Sequence, residues 1–295
     1  MSVREGKIMA LAGVDFANKT SEELQDLFRK VLSNGMHGLC FSPYEEGQKA
    51  GDILSENQIR RRMEVIKPYT KWVRSFSCIE GNELIPKIAK EFGIKTLVGA
   101  WLGKEADKNE REIEGLIKLA NDGYVDIAAV GNEVLYRKDL TENELLDRLY
   151  KVKKAIPNVP VGYVDAYYEF SARPKITEAC DVILANCYPF WECCHLDYSL
   201  MYMKQMYYQA LQAGGGRKRV IISETGWPGK GEDYNGAQPS MENAMKYFLN
   251  TQLWSKEEDI DIFYFTSFDE SWKVGVEGDV GAYWGIWDKN ENFKY

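Results

Sequence analysis

Residues Val220–Gly231 read VIISETGWPGKG, the pattern of a buried strand that ends on a carboxylate. The first three residues are β-branched and apolar, as is typical of a strand buried on both faces, and Gly226 and Pro228 end it in a loop. The strand therefore delivers Glu224 to its own C-terminal end. A solvated loop glutamate is the ordinary explanation, but a carboxylate beside a buried strand costs free energy unless it is paired.

A second stretch, Asp126–Arg137, repeats this design with the sequence DIAAVGNEVLYR. A short apolar run is followed by Gly131, Asn132 and Glu133. Two glutamates at the ends of separate strands of one sheet suit a glycosidase, because one carboxyl group protonates the leaving oxygen while the other attacks or activates water. Neither motif alone is sufficient for this inference.

The rest of the chain alternates between short apolar segments and amphipathic ones. We predict strands at Gly38–Ser42, Trp72–Phe76, Thr96–Trp101, Asp126–Val130, Val159–Val164, Val182–Asn186, Val220–Ser223 and Ile260–Thr266. Helical spacing is clearest over Asn57–Ile66, Asn82–Glu91, Glu105–Asn121, Glu142–Lys154, Leu200–Ala213 and Met241–Trp254. This alternation and the length of 295 residues predict an α/β protein, a single (β/α)8 TIM barrel. A doubly wound sheet is the alternative, but no G-x-G-x-x-G turn follows a predicted strand.

The start of the chain is expected to lie outside the barrel proper. We predict an N-terminal extension over 1–34, with one helix packed on the barrel, and a catalytic domain over 35–295. Ser21–Leu32 has the apolar spacing of that helix, with Thr20 or Ser21 as its cap. The apolar piece Ile8–Gly13 is too short for a secretory signal, so we expect a mature or trimmed chain.

Composition excludes several classes of function. A net charge of −8 and a pI of about 5.1 leave no basic surface for phosphates, so we expect no nucleic-acid partner. No apolar run approaches the roughly 18 residues that would predict a membrane span. The six cysteines form no pair of CxxC motifs and there are only two histidines, so no metal site is predicted. Aromatic residues make up 13% of the chain, and flat rings suit sugar faces, although core packing accounts for at least half of them.

The motifs in combination resemble glycoside hydrolase family 17, the β-1,3-glucanases and their transglycosylating relatives. Gly131–Glu133 and Ser223–Pro228 are similar to the two glutamate signatures of that family. Phe268–Lys273, FDESWK, resembles its FDE-x-WK segment, and Glu277–Trp287 resembles the ending that follows it. Asn186–Phe190, NCYPF, is similar to the segment at the sixth strand. The resemblance runs from about residue 35 to the C-terminus.

The resemblance implies that Glu224 is the nucleophile and Glu133 the acid/base of a retaining reaction, which needs no cofactor. We expect their carboxyl groups to lie about 5–5.5 Å apart, as retention requires. Glu133 must hold its proton near neutral pH, so we expect burial and the charge of Glu224 to raise its pKa. Asn132 is suited to bond the sugar 2-hydroxyl, although a turn asparagine is the alternative.

The family pattern also places Glu270 and Lys273 in the polar network of the site, a surface ion pair being the alternative. The aromatic residues just past the strand ends are predicted to line the substrate: Trp101, Tyr188, Phe190, Trp191, Trp227, Trp272 and Trp284. Four further tyrosines are equally compatible with the core: Tyr44, Tyr163, Tyr167 and Tyr168.

We therefore expect an exported, monomeric, endo-acting hydrolase of β-1,3-glucan polysaccharide or oligosaccharides. A β-1,3-glucanosyltransferase is the nearest alternative, since the same covalent intermediate serves both reactions. A catalytically silent glucan-binding barrel is more distant, because such proteins commonly lose a catalytic residue and this chain keeps both glutamates. A retaining barrel enzyme acting on β-1,4 linkages shares the Asn-Glu pair but lacks the Thr-Gly-Trp-Pro context.

Overall fold

The computed structural model describes residues 13, 14, 16 and 18–295. The expectation for Ile8–Gly13 concerns residues that lie outside this described part, apart from Gly13. Within the described residues, no helix combines the length and apolar character that a bilayer crossing requires.

Eight parallel strands pair in chain order and close into one barrel. They are β1 Met36–Cys40, β2 Thr70–Ser75, β3 Lys95–Ala100, β4 Ile127–Asn132, β5 Val161–Ala166, β6 Val182–Asn186, β7 Arg219–Thr225 and β8 Ile262–Tyr264. Each overlaps a strand predicted from the sequence. The predicted (β/α)8 barrel is therefore confirmed, and the doubly wound alternative is excluded.

Ten α-helices are described, and the longer of them cover the outside of the barrel. They are α1 Ser21–Ser33, α2 Glu56–Ile66, α3 Leu84–Glu91, α4 Ala106–Asn121, α5 Glu142–Ala155, α6 Glu169–Ala172, α7 Pro174–Ala179, α8 Leu196–Ala213, α9 Met241–Glu258 and α10 Val274–Glu277. The short helices α6, α7 and α10 have no counterpart in the sequence prediction, because one or two turns do not establish a helical period.

The closure between the last strand and the first depends on a glycine. Strand β8 pairs with β1 through Gly38 opposite Phe263. A Cβ atom on Gly38 would lie 2.5 Å from the Phe263 ring, so a larger residue would push the two strands apart. The aromatic side chain fills the space that the glycine leaves, and the ring of strands is completed with a packed core.

Helix α1 packs across α9 and the end of the chain. Thr20 caps it in a capping box with Glu23, and its buried face carries Phe28. The ring centre of Phe28 lies 4.1 Å from that of Phe248 in α9 and 4.4 Å from that of Tyr295. These contacts bring the first described helix and the last residue together on the outside of the barrel.

Candidate active site

A cleft of about 1090 Å³ opens at the C-terminal ends of the strands. Every strand or the loop after it contributes to its lining: Ser42, Phe76, Trp101, Glu133, Tyr167, Tyr188, Glu224 and Glu270, in order from β1 to β8. This face carries the active site in characterised TIM-barrel enzymes, since eight loops converge there on a rigid support. The cleft is therefore the candidate active site.

Glu224 is the penultimate residue of β7 and is almost fully buried. Arg74, from β2, donates a hydrogen bond from Nη1 to its Oε1. The hydroxyl of Tyr188 donates to its Oε2 at 2.8 Å. Each carboxylate oxygen thus has its own donor, one of them charged, and the carboxylate is fixed in orientation.

Arg74 links the two motifs that contain the glutamates. Its side chain is 2% exposed, and its second amino group donates to Oδ1 of Asn132 at 2.7 Å. The bond identifies that atom of Asn132 as the acceptor, so the amide NH₂ group is the donor left for a substrate hydroxyl. Arg74 was not identified from the sequence. The signal that could have identified it is the presence of a charged residue within the apolar predicted strand Trp72–Phe76.

Glu133 follows β4 directly, in a left-handed backbone conformation with φ of 53°. This conformation is uncommon for a residue other than glycine and costs free energy, so surrounding contacts must hold it. Its amide donates to the carbonyl of Val164 in β5 at 2.7 Å. Asn186 in β6 donates to its Oε1 at 2.8 Å, and Ser223 in turn donates to Asn186 at 2.8 Å. Asn186 is a second site residue that the sequence analysis placed in a motif without a role.

The pKa of Glu133 is raised above its ordinary value. Burial is the largest cause, and the negative charge of Glu224 is the second. The hydrogen bond from Asn186 and the charges of Arg137 and Arg74 act in the opposite direction without cancelling the rise. The direction is the one expected for a carboxyl group that must hold a proton.

Glu270 and Lys273 form a buried ion pair, with Lys273 Nζ 2.6 Å from Glu270 Oε2. The alternative of a surface pair is therefore excluded. Ser42 and the indole of Trp272 donate to the other oxygen of Glu270. Burial alone would lower the pKa of Lys273, but the charges of Glu270, Glu277 and Glu224 and the hydrogen bond to Glu270 together raise it above its ordinary value.

Glu277 is a further carboxyl group in the cleft lining that the sequence analysis did not single out. It ends the short helix α10 and is half-buried. Burial raises its pKa to about 7; Lys273 opposes this rise, and the charges of Glu270 and Glu224 add to it. Seven glutamates and three cationic side chains line the cleft, and the charges of Glu270, Glu224 and Glu133 act on Glu277, so the protonation states of these four groups depend on one another.

The comparison with known proteins agrees with this geometry. A model of the BtgE/BtgC glycoside hydrolase domain matches residues 38–285. The chain belongs to this glycoside hydrolase family. The match begins within β1 and ends in the segment after β8, so it includes β2 to β8 in full.

Two fungal relatives and one solved structure are similar to this glycoside hydrolase. A glucan 1,3-beta-glucosidase of Schizosaccharomyces pombe is 28% identical over 299 residues, covering 94% of this chain and 91% of the relative. One of Candida albicans is 26% identical over 258 residues, covering 79% and 83%. The crystal structure of a family 17 beta-1,3-glucanosyltransferase from Rhizomucor miehei has a TM-score of 0.79 at 28% identity, covering 89% of this chain and 96% of that one. The resemblance to glycoside hydrolase family 17 is confirmed.

The aromatic residues predicted at the substrate divide into two groups in this glycoside hydrolase. Trp101, Tyr188, Trp191 and Trp272 line the cleft. Of the four further tyrosines, Tyr44, Tyr167 and Tyr168 also line it, whereas Tyr163 is buried and donates a hydrogen bond to Asp165. The first group is available to stack against sugar rings.

For three aromatic residues the predicted contact with substrate is wrong. The structure buries Phe190, Trp227 and Trp284, and none of them lines the cleft. Trp227 is 1% exposed and donates from its indole to the carbonyl of Gln238 at 2.9 Å. Its ring centre lies 5.2 Å from that of Phe190. The chain passes close to β8 at Gly226, where a Cβ would lie 2.1 Å from the carbonyl oxygen of Phe265. These rings support the cleft wall from behind.

The cysteines and histidines do not assemble into a metal centre in the part of the chain that the structure describes. Cys40, Cys78, Cys180 and Cys187 are buried free thiols. Cys193 and Cys194 are also free thiols but are partly exposed.

Proposed function

We propose that this chain is a retaining glycoside hydrolase that cleaves β-1,3-glucosidic bonds within β-1,3-glucan. The observation that carries the proposal is the pair of glutamates at the ends of β4 and β7, Glu224 buried and Glu133 partly buried, each held by its own donors. Glycosidases use two carboxyl groups in different protonation states. The names of the fungal relatives, glucan 1,3-beta-glucosidases, support the linkage.

In the first step a carboxylate oxygen of Glu224 forms a bond with the anomeric carbon. The bond between that carbon and the glycosidic oxygen breaks, and Glu133 transfers its proton to the departing oxygen. The products are a glycosyl ester on Glu224, an ionised Glu133 and a shortened chain with a free hydroxyl group.

In the second step Glu133 takes a proton from water, whose oxygen bonds to the anomeric carbon as the ester bond to Glu224 breaks. The ester has removed the negative charge of Glu224, which is the second largest cause of the raised Glu133 pKa. The pKa of Glu133 therefore falls in the intermediate, and the same group that acted as acid becomes a base. Two displacements restore the original β configuration.

Three neighbours prepare these steps. Arg74 and Tyr188 hold Glu224 in one orientation, so less reorganisation is needed as the bond forms. Arg74 also holds the amide of Asn132, whose NH₂ group is then directed to the sugar 2-hydroxyl. That contact strengthens as positive charge develops at the anomeric centre.

The size of the cleft supports an oligosaccharide substrate. Its volume of about 1090 Å³ lies slightly above the roughly 300–1,000 Å³ typical of small-ligand pockets. Partly exposed rings, such as those of Trp101, Tyr136 and Tyr234, are spread along its walls. We infer internal cleavage of the chain and action outside the cell, where an intact polymer is accessible. We assign 35–295 to the catalytic domain and 1–34 to an extension.

Glucanosyl transfer is the second candidate, because the similar Rhizomucor miehei structure is that of a beta-1,3-glucanosyltransferase and a mutant of that enzyme was solved with laminaritriose. A sugar hydroxyl then replaces water in the second step. Products longer than the starting oligosaccharide, formed at high substrate concentration, would identify transfer as the main activity.

Product analysis tests the proposal. Unbranched β-1,3-glucan is incubated with the wild type, Glu133→Ala and Glu224→Ala, and a β-1,4-glucan serves as the control substrate. We expect the wild type to release oligosaccharides from β-1,3-glucan alone, and both variants to lose nearly all of this activity. Binding of laminari-oligosaccharides without any release of reducing sugar would favour the silent binding protein instead.

A further inference from the structure

Arg137 joins the loop after β4 to the loop after β3 at the edge of the cleft. One amino group of its guanidinium donates to the carbonyl of Asn132, and the other donates to the carbonyl of Leu102 at 3.0 Å. Its Nε donates to Asp139 at 2.8 Å. All three nitrogens of the planar group are thus engaged, which orders a side chain that is 28% exposed.

The same guanidinium covers an aromatic ring of the cleft. Its central carbon lies 4.7 Å from the ring centre of Trp101. Trp101 is 38% exposed, so little else restrains the indole on its solvent side. Stacking of a guanidinium on an indole is favourable and selects one orientation of the ring.

Arg137 also acts on the backbone of the proposed acid/base. Its amide donates to the carbonyl of Glu133 at 2.8 Å, while its guanidinium bonds the carbonyl of Asn132. The two carbonyls flank the strained φ of Glu133 on either side. A conformation that costs free energy is thereby held by one residue through two separate bonds.

We propose that Arg137 is a positioning residue, which holds the acid/base Glu133 and the sugar-binding ring of Trp101 at a fixed distance from each other. The inference rests on the proposed role of Glu133. Arg137 does not touch the reacting atoms in this scheme. Its action passes through the two residues it holds.

The charge of Arg137 also acts on the pKa of Glu133, which can be measured separately. The charged or titratable groups that act on Glu133 come from several elements: Glu224 in β7, Arg74 in β2, Asp165 in β5, Glu277 in α10 and Arg137 itself. Arg137 and Arg74 lower the Glu133 pKa, whereas the acidic groups oppose ionisation. Removal of the Arg137 charge should therefore raise the Glu133 pKa further.

The test compares Arg137→Met, Arg137→Lys and the matched control Arg60→Met. Arg60 forms ion pairs with Glu56 and Glu91 on the surface of α2, remote from the cleft. The kcat/KM on a defined laminari-oligosaccharide is measured against pH. Acrylamide quenching of Trp101 is measured as the difference between each protein and the same protein carrying Trp101→Phe.

We expect both Arg137 variants to lose about tenfold or more in kcat/KM, since misplaced reacting groups are costly. In Arg137→Met the alkaline limb of the kcat/KM profile should move to higher pH by roughly half a unit, because a positive charge that favours ionisation of Glu133 is lost. In Arg137→Lys the limb should stay in place, because the charge is kept. Quenching of Trp101 should increase in both, and Arg60→Met should match the wild type in every measurement.

The proposal is overturned if Arg137→Met keeps the wild-type alkaline limb and Trp101 quenching, whether or not its activity falls. If Arg137→Met does not fold, unchanged kcat/KM or unchanged quenching in Arg137→Lys overturns it equally. An inactive wild type would instead refute the proposed function, and the fluorescence comparison would still decide whether Arg137 holds Trp101.

Discussion

The hydroxyl group of Tyr188 donates a hydrogen bond to Oε2 of Glu224 at 2.8 Å, across the ends of neighbouring strands β6 and β7. Arg74 occupies the other oxygen from β2. The proposed nucleophile is therefore held from two sides by residues on a rigid barrel. Such preorganisation lowers the cost of reaching the transition state, because the carboxylate does not need to reorient.

Tyr188→Phe removes one of these donors while keeping the ring. We expect kcat to fall by about tenfold to a hundredfold, since Glu224 loses an orienting bond, with little change in folding. Tyr247→Phe is the matched control, because it removes a buried hydroxyl that bonds Thr225 at the back of β7. Steady-state kinetics on a laminari-oligosaccharide check this. An equal loss of kcat in both variants would indicate a general effect on β7.

Arg74 should be intolerant of substitution. Arg74→Met leaves the buried carboxylate of Glu224 without its cation, and breaking a buried pair in this way costs roughly 3–5 kcal/mol. Arg74→Lys keeps the charge but has no planar fork to reach both Glu224 and Asn132. We expect Arg74→Lys to fold and to lose about a hundredfold or more in kcat/KM. Thermal unfolding and kinetics are measured together, and a fully active Arg74→Lys contradicts the bridging role.

Glu133→Gln tests the acid role through pH. The raised pKa of Glu133 means that the protonated acid is lost as pH rises through that value, so wild-type kcat/KM should fall on the alkaline side. Glutamine cannot donate this proton or lose it. The variant should therefore be about a hundredfold or more slower on glucan and lack this alkaline fall. Its loss should be much smaller on an aryl β-glucoside with a good leaving group, and an equal loss on both substrates would contradict the assignment.

Glu112 should make stability depend on pH. It is fully buried in α4, accepts bonds from Ser77 at 2.6 Å and the Cys78 amide at 2.7 Å, and burial raises its pKa to about 7. Because the folded state binds the proton more tightly than the unfolded state, stability contributed by this group declines as pH rises from about 4.5 to about 7.

Glu112→Gln keeps an acceptor for these bonds and removes the titration. We expect it to raise stability relative to the wild type above neutral pH, by up to about 3 kcal/mol, and to change it little near pH 4. Melting temperature against pH provides the measurement. Glu114→Gln, on the exposed face of the same helix, is the control. A constant difference between Glu112→Gln and wild type across pH would show that burial does not perturb this group.

The sequence predicted the strand order and both glutamates because these depend on local patterns. Buried parallel strands are continuous apolar runs, and the glutamates follow them within distinctive short motifs. Arg74 and Asn186 were missed for a related reason. Both faces of a barrel strand are buried, so the apolar pattern does not reveal which side chains point toward the site.

Trp227 was wrongly predicted to contact substrate, because it lies close to Glu224 in the sequence. It lies three residues after Glu224, yet its ring is buried in the core against Phe190 and Tyr247. Glu277 was missed because its place in the cleft depends on a one-turn helix, which has no readable period. The loops after the strands are set by tertiary contacts, and the sequence of each loop alone does not determine them.

The most direct test of the central claim is the configuration of the first product, followed by proton NMR as the wild type hydrolyses an unbranched β-1,3-gluco-oligosaccharide. A retaining pair formed by Glu133 and Glu224 predicts that the β-anomer appears first and that α-anomer accumulates only later by mutarotation. Initial release of the α-anomer would contradict the account, because it would require a single displacement by water without a covalent bond to Glu224.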